Sequence, residues 1–362
     1  MRAYPPIVLV WLAFSPILAA AQSISDQVTN EILARYTPYA DGAAVIDLGQ
    51  ITSNTISEAG NAFDQPLASL HLALDPGHVG GIWAEWEGRN FRISKEDHWV
   101  REGELVLEVA LRIRNHLTRL GAKVTLLRED YQPINPKTFI DYWALAVAEE
   151  MPPTELSLKA QFSHALAVRN RAIYLAIVRG EIAERARLVN EVIQPDALIS
   201  LHINAAAWPD GDTEQVVDSD HAHVLIFGCL SEAELALPRQ QLRLVEKLSN
   251  GSGAVEARLG AALGSALIEA TGLPASDYQG RNAIRIDPDV PSLWARNLML
   301  LRLVDCPTVL MEPYITNSHS SYARIQKALR AREYHEPLPA DDILVEYADA
   351  VVTGVLRTYD RN

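Results

Sequence analysis

The sequence predicts an α/β fold, with a mixed, mostly parallel sheet flanked by helices in a single domain with insertions. Three observations predict it. Apolar runs of strand length alternate with stretches of helical periodicity through most of the 362 residues. The first unit reads strand, long loop, helix, strand, the order that a parallel sheet needs. Three strand runs then end on a residue able to bind metal or move protons, namely His78, His202 and Glu312. In open α/β sheets, sites gather beyond the carboxyl ends of the strands.

The elements follow in order. "MRAYPPIVLVWLAFSPILAAA" at 1–21 has a positive start at Arg2, an apolar run and small residues at its end. It reads as a secretory signal cut after Ala21. Pro16 interrupts the run, which argues against a spanning anchor of roughly 20 apolar residues. No cysteine stands at the cleavage site, so no lipid anchor is expected there. Residues 22–66 are polar and mixed, and read as a linker or edge segment. Residues 69–74 form an apolar strand ending at Asp75-Pro76-Gly77. Apolar residues at 106, 109, 110, 113, 117 and 120 predict a helix over 103–120, stopped by Gly121. "AKVTLLRED" reads as the next strand.

Residues 131–180 are Pro- and aromatic-rich before a helical stretch, and read as an insertion. A further helix is expected over 181–193, then strands in "DALISLH" and "HAHVLIFG". A small-residue helix follows over 253–272, then a strand in "CPTVLMEPYITN" and two terminal helices near 320–331 and 341–358. The stretch 205–300 is long enough to read as a second insertion.

Lys plus Arg number 32 and Asp plus Glu 46, a net charge of −14. Nucleic acid and anionic lipid are therefore poor partners. Cys229 and Cys306 both lie near predicted strands. Their sequence positions are compatible with a disulfide or with two buried thiols.

A catalytic zinc needs about three protein ligands and an open position. His78, set among glycines, and His202 are candidates. Glu102 or Glu104 could supply a carboxylate at the start of the predicted helix. Glu312 ends an apolar strand, where a carboxylate is costly unless paired or functional. Each has an ordinary alternative: a bonded turn or strand-end histidine, a helix N-terminal carboxylate, a structural ion pair. No His-Glu-x-x-His, Gly-x-Ser-x-Gly or P-loop pattern occurs.

Four blocks, "LALDPGHVGG", "VREGELVLEVALRIRNHLTRLGAKVTLLRED", "EIAERARLVNEVIQPDALISLHINA" and "CPTVLMEPYITN", occur in an order that resembles the zinc-dependent N-acetylmuramoyl-L-alanine amidases of the type-3 class. The resemblance spans roughly residues 68–358. It implies a catalytic domain over 67–362, a Zn2+ cofactor and a peptidoglycan substrate in the periplasm or cell envelope. It carries the zinc ligands onto His78, Glu102 and His202, and the catalytic carboxylate onto Glu312. Asn204 would orient His202 or bind substrate, and Arg185 and Asn190 would be structural. A protein activator is implied by those relatives in which a helix after the second histidine blocks the zinc. Here "SEAELALPRQQLRLVEKL" holds that place, helical from about Pro238. Val79 and Pro313-Tyr314 depart from the family pattern. Alternatives to hydrolysis of this amide are an inactive or gated peptidoglycan-binding protein, and a zinc amidohydrolase acting on another envelope peptide amide.

Overall fold

The computed structural model describes residues 65–359, apart from 153, 155–156, 210, 212–213, 279 and 281, together with two short strands at Thr37–Pro38 and Ala43–Val45. The expected secretory signal at 1–21 and nearly all of the segment 22–66 lie outside the described residues.

The centre is a seven-stranded sheet. Its strands in chain order are β1 (His71–Pro76), β2 (Lys123–Leu126), β3 (Ala197–Leu201), β4 (His223–Phe227), β5 (Ile284–Arg285), β6 (Leu293–Arg296) and β7 (Thr308–Glu312). Across the sheet they run β5-β6-β4-β7-β3-β1-β2. The β6–β4, β7–β3, β3–β1 and β1–β2 pairs are parallel, and β5–β6 and β4–β7 are antiparallel. The sheet is thus mixed and mostly parallel, as the strand and helix alternation predicts.

The central strands are apolar on both faces because both faces are covered. Side chains alternate at period two. Leu72 and Leu74 enter one core while Ala73 enters the other. Val309 and Met311 face the first core, and Leu310 the opposite side. Helices Glu102–Arg119, Ser252–Thr271 and Ile343–Tyr359 cover the first face, with the terminal helix packed against the other two. The predicted apolar stripe Val106, Val109, Ala110, Ile113 and Leu117 is buried there. Met299–Leu303, Pro238–Ser249 and the segment around Ala186 and Val189 cover the second face.

Two expectations change. Helix Leu158–Tyr174 continues without a break through π-helical turns at Leu175–Gly180 and Leu188–Ile193. The helix expected over 181–193 is therefore the end of one long rod, because no residue between them leaves helical φ/ψ. Residues 205–300 supply β4, β5 and β6, so this stretch is built into the sheet rather than added to it. Residues 131–180 behave differently. Helix Trp143–Glu149 packs on the rod around Ala146, Val168, Ala172 and Leu175, a small apolar cluster of its own. Cys229 is buried and Cys306 partly buried, and no disulfide joins them.

Candidate active site and metal centre

Strands β1, β3 and β7 are adjacent and parallel, so their carboxyl ends open on one edge of the sheet. His78 follows β1 by two residues, His202 follows β3 by one, and Glu312 is the last residue of β7. Glu102 opens the helix that packs on this edge. Residues far apart in sequence therefore meet.

His78 Nε2 lies 3.3 Å from Glu102 Oε2, and His202 Nδ1 lies 3.1 Å from Glu102 Oε1. One donor atom from each of the three residues lies within 4.8 Å of the others, a spacing that could hold a metal ion. Burial raises the Glu102 carboxyl pKa, but the two imidazoles more than offset it and bring it to about 2. Burial lowers the His78 pKa, yet Glu102 and Glu87 outweigh it and leave the ring above its ordinary value. This pocket of charge favours a cation.

The turn carrying His78 is fixed from beneath by two buried guanidiniums. Arg128 donates to the carbonyls of Pro76, Gly77 and Gly103. Arg185 donates to Pro76 O and His78 O, and pairs with Asp75 at 2.7 Å and Glu181 at 3.0 Å. With its carbonyls so directed, His78 takes a left-handed φ of 56°, a conformation that non-glycine residues adopt mainly where surroundings enforce it. A Cβ on Gly77 would lie within 2.7 Å of three ring atoms of His202. Gly103 likewise lets the helix start touch the Val79 backbone. The small residues around His78 thus make room for the second histidine and the helix.

Glu312 sits beside His223, its partner across the antiparallel β7–β4 pair. The His223 Nε2 to Glu312 Oε2 distance is 2.9 Å, and Tyr278 Oη lies 2.9 Å from the same nitrogen. Burial pushes the Glu312 carboxyl up, but the His223 hydrogen bond and the His223 and His202 rings hold it below its usual value. Glu312 is therefore an ionised carboxylate at neutral pH. A cavity of about 220 Å³ brings it together with His78, His202, Glu87, Arg89 and Asp75.

Of the residues singled out in the sequence, His78, Glu102, His202 and Glu312 converge. Glu104 does not join them; its carboxylate accepts from Gly81 N–H and from Arg101. Asn204 stands apart from the cavity lining. Its side chain accepts from Ala205 N–H and its carbonyl from Thr316 N–H. Asn190 bridges Leu303 O and Asp305 N–H. Tyr314, in the departing Pro313-Tyr314 pair, is fully buried, with its hydroxyl donating to Glu346 of the terminal helix. Helix Pro238–Ser249 starts at its proline as expected. It buries Leu244 against Leu225, Phe227 and Leu301, and Lys247 pairs with Glu256. None of residues 231–250 lines the cavity.

Several residues around the candidate site went unread in the sequence, Glu87, Arg128 and His223 among them. Glu87 Oε1 meets His78 Nδ1 at 2.6 Å, and its other oxygen accepts from Val79 N–H. "WAEWEG" shows Glu87 as one of two similar carboxylates, and His223 is one of two histidines in "HAH". The doubled histidine entering an apolar strand was the one available signal.

A family model described as N-acetylmuramoyl-L-alanine amidase matches residues 72–335. No curated protein matches the chain. Among solved structures, the chain is similar to the N-acetylmuramyl-L-alanine amidase Ami1 from Mycobacterium smegmatis, at 16% identity and a TM-score of 0.45, covering 82% of this chain and 99% of that one. The apo form of Ami1 from Mycobacterium abscessus gives 17% identity and a TM-score of 0.44 over 81% of this chain and 99% of that one. The amidase AmiC2 of Nostoc punctiforme gives 13% and 0.39, over 80% of this chain and 97% of that one.

Proposed function

The chain belongs to the N-acetylmuramoyl-L-alanine amidase family, and we propose that it hydrolyses the peptidoglycan amide between the lactyl group of N-acetylmuramic acid and the L-alanine of the stem peptide, using zinc. The observation that carries this reading is the convergence of two imidazoles, one buried carboxylate and a second carboxylate on one sheet edge, within the span that the family model matches. The reaction belongs in the cell envelope, with 1–21 as the export signal. No helix among the described residues is long and apolar enough to cross a membrane.

The donor set fits zinc. Two histidines and a glutamate are a donor set that catalytic zinc takes. His78, Glu102 and His202 would hold it, with Glu87 on the far nitrogen of His78 fixing the ring, as carboxylates behind metal-bound histidines do. When bound, zinc would supply Lewis acidity, polarising the amide carbonyl and lowering the pKa of water. The residues of the chain supply the rest. Glu312, ionised in the free protein, takes a proton from the attacking water and returns it to the leaving amine nitrogen. His223, buried against it, keeps the carboxylate aimed into the cavity.

Two outcomes follow for the metal. Glu87→Ala should lower zinc affinity by about 10–100-fold, read by competition with a chelating indicator; unchanged affinity would mean that Glu87 has no part in holding His78. Gly77→Ala should drive a methyl group into His202 and weaken zinc by about tenfold or more, on the scale of lost ligand support. Metal content by mass spectrometry at limiting zinc checks it.

The function itself is tested by incubating purified peptidoglycan with the mature protein and one equivalent of zinc. Free stem peptides beginning at L-alanine are expected by mass spectrometry. Cleavage elsewhere in the stem, or intact muropeptides alone, would overturn the reading.

A further inference from the structure

A second concavity of about 330 Å³ lies beside the catalytic cavity. Ile177 lines both. Its walls come from the 82–87 helix and the 131–180 insertion, chiefly Trp83, Trp86, Phe139 and Ile140. We propose that this groove is a saccharide-binding subsite that seats a hexosamine ring of the glycan strand while the scissile amide lies over the metal centre. The ligand class rests on the amidase reading above.

The argument starts from the aromatic rings. Trp83 and Trp86 stand 5.2 Å apart at 75°, and Trp86 and Phe139 5.9 Å apart at 73°. Edge-to-face rings leave flat faces open beside one another instead of stacking them shut. Trp86 remains 38% exposed, which costs hydrophobic free energy unless something covers it. Trp83 is held in place, its Nε1 donating to Gln132 Oε1 at 3.2 Å. Gln132, Asn135, Lys137 and Thr138 give the groove a rim of hydrogen-bonding groups. A pyranose ring has the complementary form, with an apolar C–H face and hydroxyl or acetamido groups at its edge. Its volume range also suits a ring-sized ligand, since small-molecule sites run from about 300 Å³ upward.

The other half of the substrate belongs elsewhere. A stem peptide carries carboxylates, and Arg89 lines the catalytic cavity, not the groove. Saccharide on the tryptophan side and peptide on the Arg89 side would lay the lactyl amide between them. The linkage is short and rigid: Glu87, which bonds to His78, follows Trp86 directly in the same helix. A ring seated on Trp86 is thereby in register with the metal ligands. The insertion at 131–180 thus acquires a use, because Phe139 and Ile140 form the wall facing the tryptophans.

The test uses the full mature chain and chitotetraose, a peptide-free hexosamine oligomer, titrated while tryptophan fluorescence is followed. Trp83→Ala and Phe139→Ala are made separately because they lie on different segments, and Trp86 is left alone beside Glu87. Saturable quenching is expected for the wild type, with affinity about tenfold weaker in each variant and zinc content unchanged; both side chains also pack on Ile173, Ala176 and Ile177, so a lower Tm is expected and binding is read at a temperature where each variant is folded. Equal affinity in both folded variants, or no saturable binding by the wild type, overturns the subsite. A variant that does not fold leaves the decision to the other. Products from peptidoglycan are measured in parallel. Binding lost in the variants with no amide cleavage by the wild type would retain the subsite and remove the reaction. Cleavage with variant-independent binding would remove the subsite and retain the reaction.

Discussion

Glu312→Gln is expected to lower kcat on peptidoglycan by about 10²–10⁴-fold while zinc content and Tm stay near wild type. Gln keeps the shape and one oxygen for the bond with His223 Nε2, but it cannot take a proton. Other groups near the cavity do not replace it. Glu87 is occupied by His78 and the Val79 N–H, and Glu102 faces both histidines. The same geometry sets the pH profile. A general base works when deprotonated, so a carboxyl held below its usual value moves the acid limb of kcat/KM to lower pH than a free glutamate would give. His223→Ala removes a hydrogen bond that holds the Glu312 carboxyl down, and should move the limb upward. Rates from released stem peptides across pH check both. Turnover of Glu312→Gln at the wild-type rate would take the proton-transfer role away from this residue.

Arg185→Met has the largest expected effect on stability, a loss of about 3–5 kcal/mol. Arg185 and Asp75 are 3% and 1% exposed, and removal of one partner strands a charge out of water. The guanidinium also donates to two carbonyls of the His78 turn, which a methionine leaves bare. Lysine should not rescue it, because one ammonium cannot span Asp75, Glu181 and two carbonyls. Thermal unfolding should fall on the order of 10 °C for a chain of this size. The pH sense follows from Asp75. Burial raises its pKa, but Arg185, Ser200 and His202 bring it below its ordinary value. The contribution is therefore complete above the unfolded carboxyl pKa of about 4 and is lost as pH falls through the lower folded value. The wild type should lose stability through that acid range and Arg185→Met should lose less. Equal acid sensitivity in the two would show that the pair contributes little.

Much of this protein was legible in one dimension. The stripe from Val106 to Leu117 could only be one face of a helix, and it is buried as a unit. The apolar run at 69–74 and those in "DALISLH" and "CPTVLMEPYITN" announced covered strands, and each led to a residue of the candidate site. Parallel neighbours in a sheet end on the same edge, so the strand ends put His78, His202 and Glu312 on one side of the sheet before any distance was known. Periodicity is a local property, and local properties are what a sequence displays directly.

The tertiary structure decided what depends on contacts between distant residues. Glu102 and Glu104 are two residues apart and chemically alike, yet one faces two imidazoles and the other holds Gly81 N–H. Helical rotation about the axis separates them, and only the packing of that helix says which side meets the histidines. His223 gains its partner because β4 runs antiparallel to β7, a pairing between strands about 85 positions apart that no local pattern specifies. The stretch 205–300 reads as an addition because of its length between the second histidine and the last strand, but it supplies three of the seven strands of the sheet. The helix at 238–249 could be read as a helix from its proline and spacing, whereas its place on the sheet flank was fixed by Leu244 and the buried Lys247–Glu256 pair. Sequence by itself determined the elements and the chemical types at their ends. Long-range packing determined which of those types face one another, because the free energy that chooses between them comes from burial and pairing of groups far apart in the chain.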